Sequence, residues 1–265
     1  MLRKLGPEPV PIFYADETFL DIEGKSHILL AAISFSEPQV AIARILKDRE
    51  DFNIPLSMEI KWNQQALPSD LRYQISDRML YAVATSSEGL ISICEGSDKQ
   101  GAAEMMLRQI AEHSRSPFGL YLDKNLCPDV RKLWEYAQAY LVEAAACVSL
   151  QETESCRDQL IQCVDVFAGL YKTAIGHIPR GKSKPRKYYD PALREELDDT
   201  VAGHILLATR YLLPGTVDCT AEELEAGKLP FKDSWGSGIQ LKSSVSQGTK
   251  DTLRKMAMSY IGCTH

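Results

Sequence analysis

The chain has 265 residues, 45% of them hydrophobic and 25% charged, with a formal net charge of -6. That is apolar content for one large core or two modest ones, and its acidic balance argues against a generally basic nucleic-acid coat while leaving room for a local basic patch. No apolar run reaches the length of a membrane span, and the opening Met1-Leu2-Arg3-Lys4-Leu5-Gly6-Pro7 carries no apolar signal region, so the expectation is a soluble cytoplasmic protein with no membrane partner. Seven cysteines are scattered with no Cys-x-x-Cys, a pattern of reduced thiols that speaks against a zinc site or a disulfide scaffold.

Ile12-Phe13-Tyr14 are β-formers and predict a short buried strand that ends at Asp16. Thr18 to Lys25 reads as a hairpin-like turn, and the apolar run His27 to Phe35 as a second, antiparallel strand. Ser36-Glu37-Pro38 starts a helix, with Ser36 as its cap, that runs to about Asp51. After the break at Pro55, Ser57 to Trp62 alternates in character and predicts a short strand with Glu59 and Lys61 on one side. Helices are expected from Pro68 to Thr85, Lys99 to His113, Pro128 to Leu141 and Ser155 to about Ile175, and strands over Leu90–Cys94, Pro117–Asp123 and Cys147–Leu150. The basic run Arg180-Gly181-Lys182-Ser183-Lys184-Pro185-Arg186-Lys187 marks a boundary. Beyond it lie an apolar helix, Val201 to Leu213, and an amphipathic segment, Thr249 to Ile261. Alternating strands and helices give an α/β domain over residues 1–178, with a basic linker and helical extension over 179–265.

Acids stand where such a domain gathers ligands. Asp16 and Asp123 each end a predicted strand, and Asp165 lies on the apolar face of its helix among Ile161, Ala168 and Gly169. Glu59 follows a proline break. Acids at strand ends also occur in plain solvent-facing turns. Brought together, however, four carboxylates repel one another and are costly to bury unless a cation neutralises them. Hard oxygen ligands in that number suit Mg²⁺ or Mn²⁺, and two such ions roughly 4 Å apart clamp the attacking and leaving oxygens of a phosphodiester displacement.

Tyr14-Ala15-Asp16-Glu17-Thr18 resembles the Tyr-Ile-Asp-Glu-Ser opening of a mostly prokaryotic family catalogued as domain of unknown function 3800. Met58-Glu59-Ile60-Lys61-Trp62 is similar to that family's Glu-x-Lys motif, and Leu120-Tyr121-Leu122-Asp123 to its strand-borne Asp. Ser155 with Leu160-Ile161-Gln162-Cys163-Val164-Asp165-Val166-Phe167-Ala168-Gly169 resembles its closing Ser…Leu-Gln-x-Ala-Asp-x-x-Ala-Gly. The departures are Thr18-Phe19 for Ser-Gly and Val164 for Ala. The resemblance implies a ribonuclease H-like mixed sheet flanked by helices. By analogy it implies a two-metal nuclease with Asp16, Asp123 and Asp165 as ligands and Glu59 joining them or orienting water. A non-catalytic nucleic-acid-binding or defence-system module of the same fold is the alternative.

Several residues keep two readings. Lys61 either holds a phosphate or pairs with Glu59. Arg180, Lys182, Lys184, Arg186 and Lys187 either track a nucleic-acid backbone or form a solvated loop. Glu17 either supports the site from behind Asp16 or faces solvent, and strand alternation favours solvent. His204 reads as a core residue in preference to a ligand, His177 as a partner of the helix dipole, and Trp235 as a loop anchor in preference to a platform that stacks a base. Leu206, Leu207, Leu212 and Leu213 pack on the core or form a homodimer surface.

Overall fold

The structure, a computed structural model, describes residues 10–62, 67–84, 87–141, 146–177, 186–190, 195–199, 239–241 and 245–251. Its elements in chain order are β1 (Ile12–Ile22), β2 (Lys25–Phe35), α1 (Pro38–Asp51), α2 (Ser69–Ala84), β3 (Ser87–Glu95), α3 (Lys99–Ser114), β4 (Phe118–Asp123), α4 (Val130–Tyr140), β5 (Cys147–Thr153), α5 (Gln159–His177), β6 (Arg186–Asp190), β7 (Glu195–Asp199) and β8 (Ile239–Leu241). A mixed sheet has the order β5-β4-β1-β2-β3-β8. β1, β2 and β3 form an antiparallel meander; β4 and β5 add in parallel on the far side of β1, and β8 lies parallel to β3.

Period-two alternation sends each strand's residues to two separate cores. Phe13 and Ala15 of β1, with Ile28, Leu30 and Ala32 of β2, pack under α3 and α4. Leu20 and Ile22, with Leu29, Ala31 and Ile33, face α1, α2 and α5. α5 is the most apolar of the described helices: Leu160, Ile161, Val164, Phe167, Ala168 and Tyr171 are all buried. Each of its large aliphatic and aromatic side chains contributes about 1.5–3 kcal/mol by burial. Among the described residues no helix is long and apolar enough to cross a membrane. The five described cysteines are free thiols, four of them buried.

Several elements depart from expectation. β1 does not end at Asp16 but continues to Ile22, with Asp16 opposite Ala31 in the ladder. The turn is only Glu23-Gly24, both at positive φ (54° and 79°), as a two-residue hairpin joining right-twisted strands demands. The residue at the start of α1 is Glu37, with no side-chain cap, in place of Ser36. α5 begins at Gln159, not Ser155, because the Asp158 carboxylate accepts from the Leu160 and Ile161 amides and caps it there.

Residues 57–62 form a loop, not a strand. The Met58 carbonyl and the Ile60 and Trp62 amides are bonded to side chains, and the Met58 amide to the Pro55 carbonyl, so these groups join no ladder. The described part of the C-terminal region adds three strands that the sequence does not announce, and residues 247–251 are helical. Its basic run leads into the hairpin β6–β7, and β8 joins the main sheet. Thr249, a little further on, reaches buried His27 of β2 through its hydroxyl (3.1 Å). The expected helix Val201–Leu213, with His204, Leu206, Leu207, Leu212 and Leu213, lies outside the described residues, as do Trp235 and most of the segment Thr249–Ile261.

Candidate functional site

The parallel pairing of β1 with β4 runs to Ala15 beside Leu122. One step further, Asp16 and Asp123 stand on adjacent strands and face α5. β4 stops at Asp123 while β1 continues. The chain reverses its direction of travel across the sheet between these two strands, which is where open α/β sheets leave a crevice. Asp16 is only 5% exposed. One of its oxygens accepts from the Glu17 amide (2.7 Å). Asp123 is half-buried and accepts from the Ser155 amide (3.0 Å), which ties the end of β4 to the turn before α5.

Asp165 comes to this crevice from α5. Its carboxylate accepts from the Trp62 amide, while its Oδ2 is buried and has no hydrogen-bond partner. Glu59 and Lys61 arrive on the loop after α1. Lys61 Nζ lies 3.2 Å from Glu59 Oε1, and the Ser155 hydroxyl donates to the same Glu59 oxygen. So the pairing reading of Lys61 is realised. The loop itself is fixed from beneath. Arg49 donates to the Pro55 and Met58 carbonyls (2.9 Å each) and to Gln162, whose Oε1 also accepts from the Ile60 amide (3.0 Å). Trp62 Nε1 donates to Thr173 Oγ1 (2.6 Å).

Gly169 explains how the loop lies so close to α5. A Cβ built there would stand 2.3 Å from Trp62 Cβ and 2.7 Å from Trp62 Cγ. Alanine favours an ordinary helix interior by about 1 kcal/mol over glycine. Here Gly169→Ala is expected to reverse that sign. It should destabilise the protein by about 1–3 kcal/mol, the usual cost of overpacking, and push Trp62 and the neighbouring Lys61 and Glu59 away from the acids. Denaturant unfolding of the variant against wild type checks it; a gain in stability contradicts it.

The electrostatics follow from this crowding. Burial, then Asp165 and Asp123, holds the Asp16 carboxyl well above the usual carboxylate range. Burial pushes Asp165 up to about 6 against the pull of Lys61. Asp123 is also raised, by burial ahead of the amides that donate to it. Burial disfavours the Lys61 ammonium, but the Glu59 hydrogen bond and the charges of Glu59, Asp165 and Asp16 outweigh it, so its pKa stands above the ordinary lysine value. Asp16, Asp123, Asp165, Glu59 and Lys61 thus form one electrostatic unit. Even so, no group of three or more His, Cys, Asp or Glu among the described residues is arranged to hold a metal ion. The Lys61 ammonium stands among the acids and supplies positive charge there.

Glu17 corrects the sequence reading. It does not face solvent: its side chain is 14% exposed and accepts from Lys99 at the start of α3 (2.7 Å), while its Oε2 is buried without a partner. Of the basic run, Arg180, Lys182 and Lys184 lie outside the described residues. Arg186 and Lys187 lie on β6, in register with Asp199 and Asp198 of β7. α5 ends at His177, whose side chain is outside the described residues.

Arg49 is the site-building residue that the sequence reading passed over. Its signal was present: Ala41, Ile45 and Arg49 recur every four residues, and all three are buried along one stripe of α1. No protein-family model matches the chain, and neither the curated proteins nor the solved structures give a match.

Proposed function

We propose that the chain is a ribonuclease H-like, metal-dependent nuclease that hydrolyses phosphodiester bonds in DNA or RNA. The observation that carries this reading is the convergence of Asp16 from β1, Asp123 from the end of β4 and Asp165 from α5 on one crevice, with Asp165 Oδ2 buried and unpartnered. An antiparallel meander, then parallel strands on the other side of β1, with an acid on the first strand, the fourth strand and the last helix, is the arrangement a ribonuclease H-like reading requires. The resemblance to domain of unknown function 3800 supports the same assignment.

The donor set suits Mg²⁺ or Mn²⁺: carboxylate oxygens only, one of them orphaned in the interior, where an unpaired acceptor is costly. Asp16, Asp123 and Asp165 would hold the metal, with Glu59 joining them or orienting water. Bound there, one or two ions supply Lewis-acid polarisation of the phosphate and a water of lowered pKa. The chain's own residues do the rest. Asp16 and Asp165 present carboxyl groups whose charge burial disfavours, so a cation bound there would favour their ionised forms. Ser155 holds the Glu59 carboxylate through its hydroxyl, and its amide holds Asp123. Lys61, released from Glu59 by small rotations of a half-exposed side chain, can meet a phosphate oxygen.

A second reading has its own observation. Because Lys61 already pairs with Glu59 among the acids, a module that binds nucleic acid without cleaving it could keep this site as an internal ion network. Metal decides between them. A ligand that binds only the folded state at a hundredfold excess over its Kd stabilises it by about 2.7 kcal/mol. Millimolar Mn²⁺ or Mg²⁺ should therefore raise the Tm, Asp16→Asn should remove most of the rise, and labelled oligonucleotides should be cut. An unchanged Tm with no cleavage favours the binding module.

A further inference from the structure

We infer that Arg49 and Gln162 are positioning residues that deliver Glu59 and Lys61 to the acid crevice; the inference rests on the nuclease reading for its consequence and on geometry alone for its cause. Arg49 is 1% exposed, and Gln162 is fully buried. The guanidinium donates through Nε to Gln159 Oε1 (2.7 Å), through one terminal nitrogen to the Pro55 and Met58 carbonyls, and through the other to Gln162 Oε1. Gln162 in turn accepts from the Ile60 amide and donates to the Ser155 carbonyl (2.7 Å). One side-chain pair therefore grips the loop at three backbone points on either side of Glu59, and also the Ser155 turn whose hydroxyl and amide hold Glu59 and Asp123.

All four Arg49 acceptors are neutral. Burying a guanidinium without a carboxylate is a poor way to stabilise a fold, because its desolvation is not repaid by an ion pair. Burial accordingly lowers its pKa below the ordinary arginine value. What the planar five-donor fork provides, and a lysine or an apolar side chain does not, is a fixed geometry for several carbonyls at once. Without it the loop from Pro55 to Trp62 has no ladder to hold it, and Glu59 and Lys61 lose their placement. Asp16, Asp123 and Asp165 sit on β1, β4 and α5 and stay where they are. Arg49 thus acts on the reaction only through the loop.

The test compares Arg49→Lys, which keeps the charge and loses the fork, with Gln162→Leu and wild type. Amide hydrogen exchange is read by peptide across the whole chain. In both variants the amides of residues 56–62 should exchange at least about tenfold faster, while those of β2 and α3 keep wild-type protection. In cleavage, Arg49→Lys should lower kcat about tenfold to a hundredfold with KM nearly unchanged. Combined with Glu59→Gln it should cost no more than the worse single change, because both remove the same placed carboxylate. Uniformly faster exchange across all elements, or loop protection equal to wild type in both variants, overturns the inference. So does a kcat loss that multiplies with that of Glu59→Gln. If wild-type protein cuts nothing, the nuclease reading fails by itself, and the loop-specific exchange still decides whether Arg49 and Gln162 hold the loop.

Discussion

Asp16→Asn and Asp123→Asn are each expected to lower kcat for oligonucleotide cleavage by on the order of a hundredfold or more, with substrate affinity nearly unchanged. Loss of groups that merely support a metal ligand already costs about 10–100-fold, so loss of a ligand sets at least that scale. The two positions differ in what else they do. Asp123 accepts the Ser155 amide, which an Asn oxygen can still accept, and Asp16 accepts the Glu17 amide in the same way. Both variants can therefore keep the bond from that amide while losing the ionisable group, and each places an NH2 where an acceptor oxygen stood. Burial, ahead of the charges of Asp165 and Asp123, is what opposes the Asp16 carboxylate, so its Asn variant should fold at least as well as wild type. Single-turnover cleavage in Mn²⁺, with binding followed separately, reads both quantities. A variant that keeps more than about a third of wild-type kcat removes that residue from the metal set.

Asp165→Asn is expected to stabilise the metal-free protein at neutral pH by about 1 kcal/mol while abolishing cleavage. Its pKa is raised from an unfolded value of about 4 to about 6 in the folded chain, with burial the main cause. Below pH about 4 the carboxyl is protonated in both states and imposes no penalty. As pH rises from there to about 6, the unfolded state loses its proton first and the metal-free fold loses stability; above about 6 the penalty is constant. The full linkage for that shift is larger than the prediction. Asn, however, must still place two donors in a buried site, and only one of the Asp165 oxygens, the one that accepts from the Trp62 amide, has a protein partner. The obvious structural alternative, a pair with Arg157, is not formed: Arg157 pairs with Glu154 (3.1 Å). Denaturation in EDTA from pH 4 to 8 of wild type, Asp165→Asn and the exposed control Glu112→Gln checks the sign. Clear destabilisation of Asp165→Asn at neutral pH would falsify its place in a metal site.

Much of this was legible in the chain and some was not, for local reasons. β-forming residues and apolar runs located the five strands of the meander and its parallel partners, and acids at predicted strand ends put Asp16 and Asp123 in one region. The end of β1 was hidden because Asp21, Glu23 and Gly24 look like a turn from Thr18 onward, whereas Leu20 and Ile22 are buried and carry the strand through. Glu59 was placed near the site by a resemblance and on a strand by alternation. Only the first is compatible with the structure, because a loop held by Arg49 and Gln162 spans 6 to 113 residues of sequence separation, and no periodicity reports such contacts. The tight approach of Trp62 to Gly169 is of the same kind. A glycine in a helix signals that something is close, but not what. Glu17 was assigned to solvent by strand alternation alone, which gives the face but not the lysine that covers it.

The most direct test of the account is a crystal of the wild-type protein grown at neutral pH and soaked in Mn²⁺, with anomalous difference density measured at the crevice. The account predicts one or two peaks among Asp16, Asp123 and Asp165, with a peak touching Asp165 Oδ2 and the Lys61 ammonium displaced from the acids, and no such peak in Asp16→Asn. Lys61 still bound to Glu59, with no manganese peak between the three aspartates at saturating metal, would contradict it.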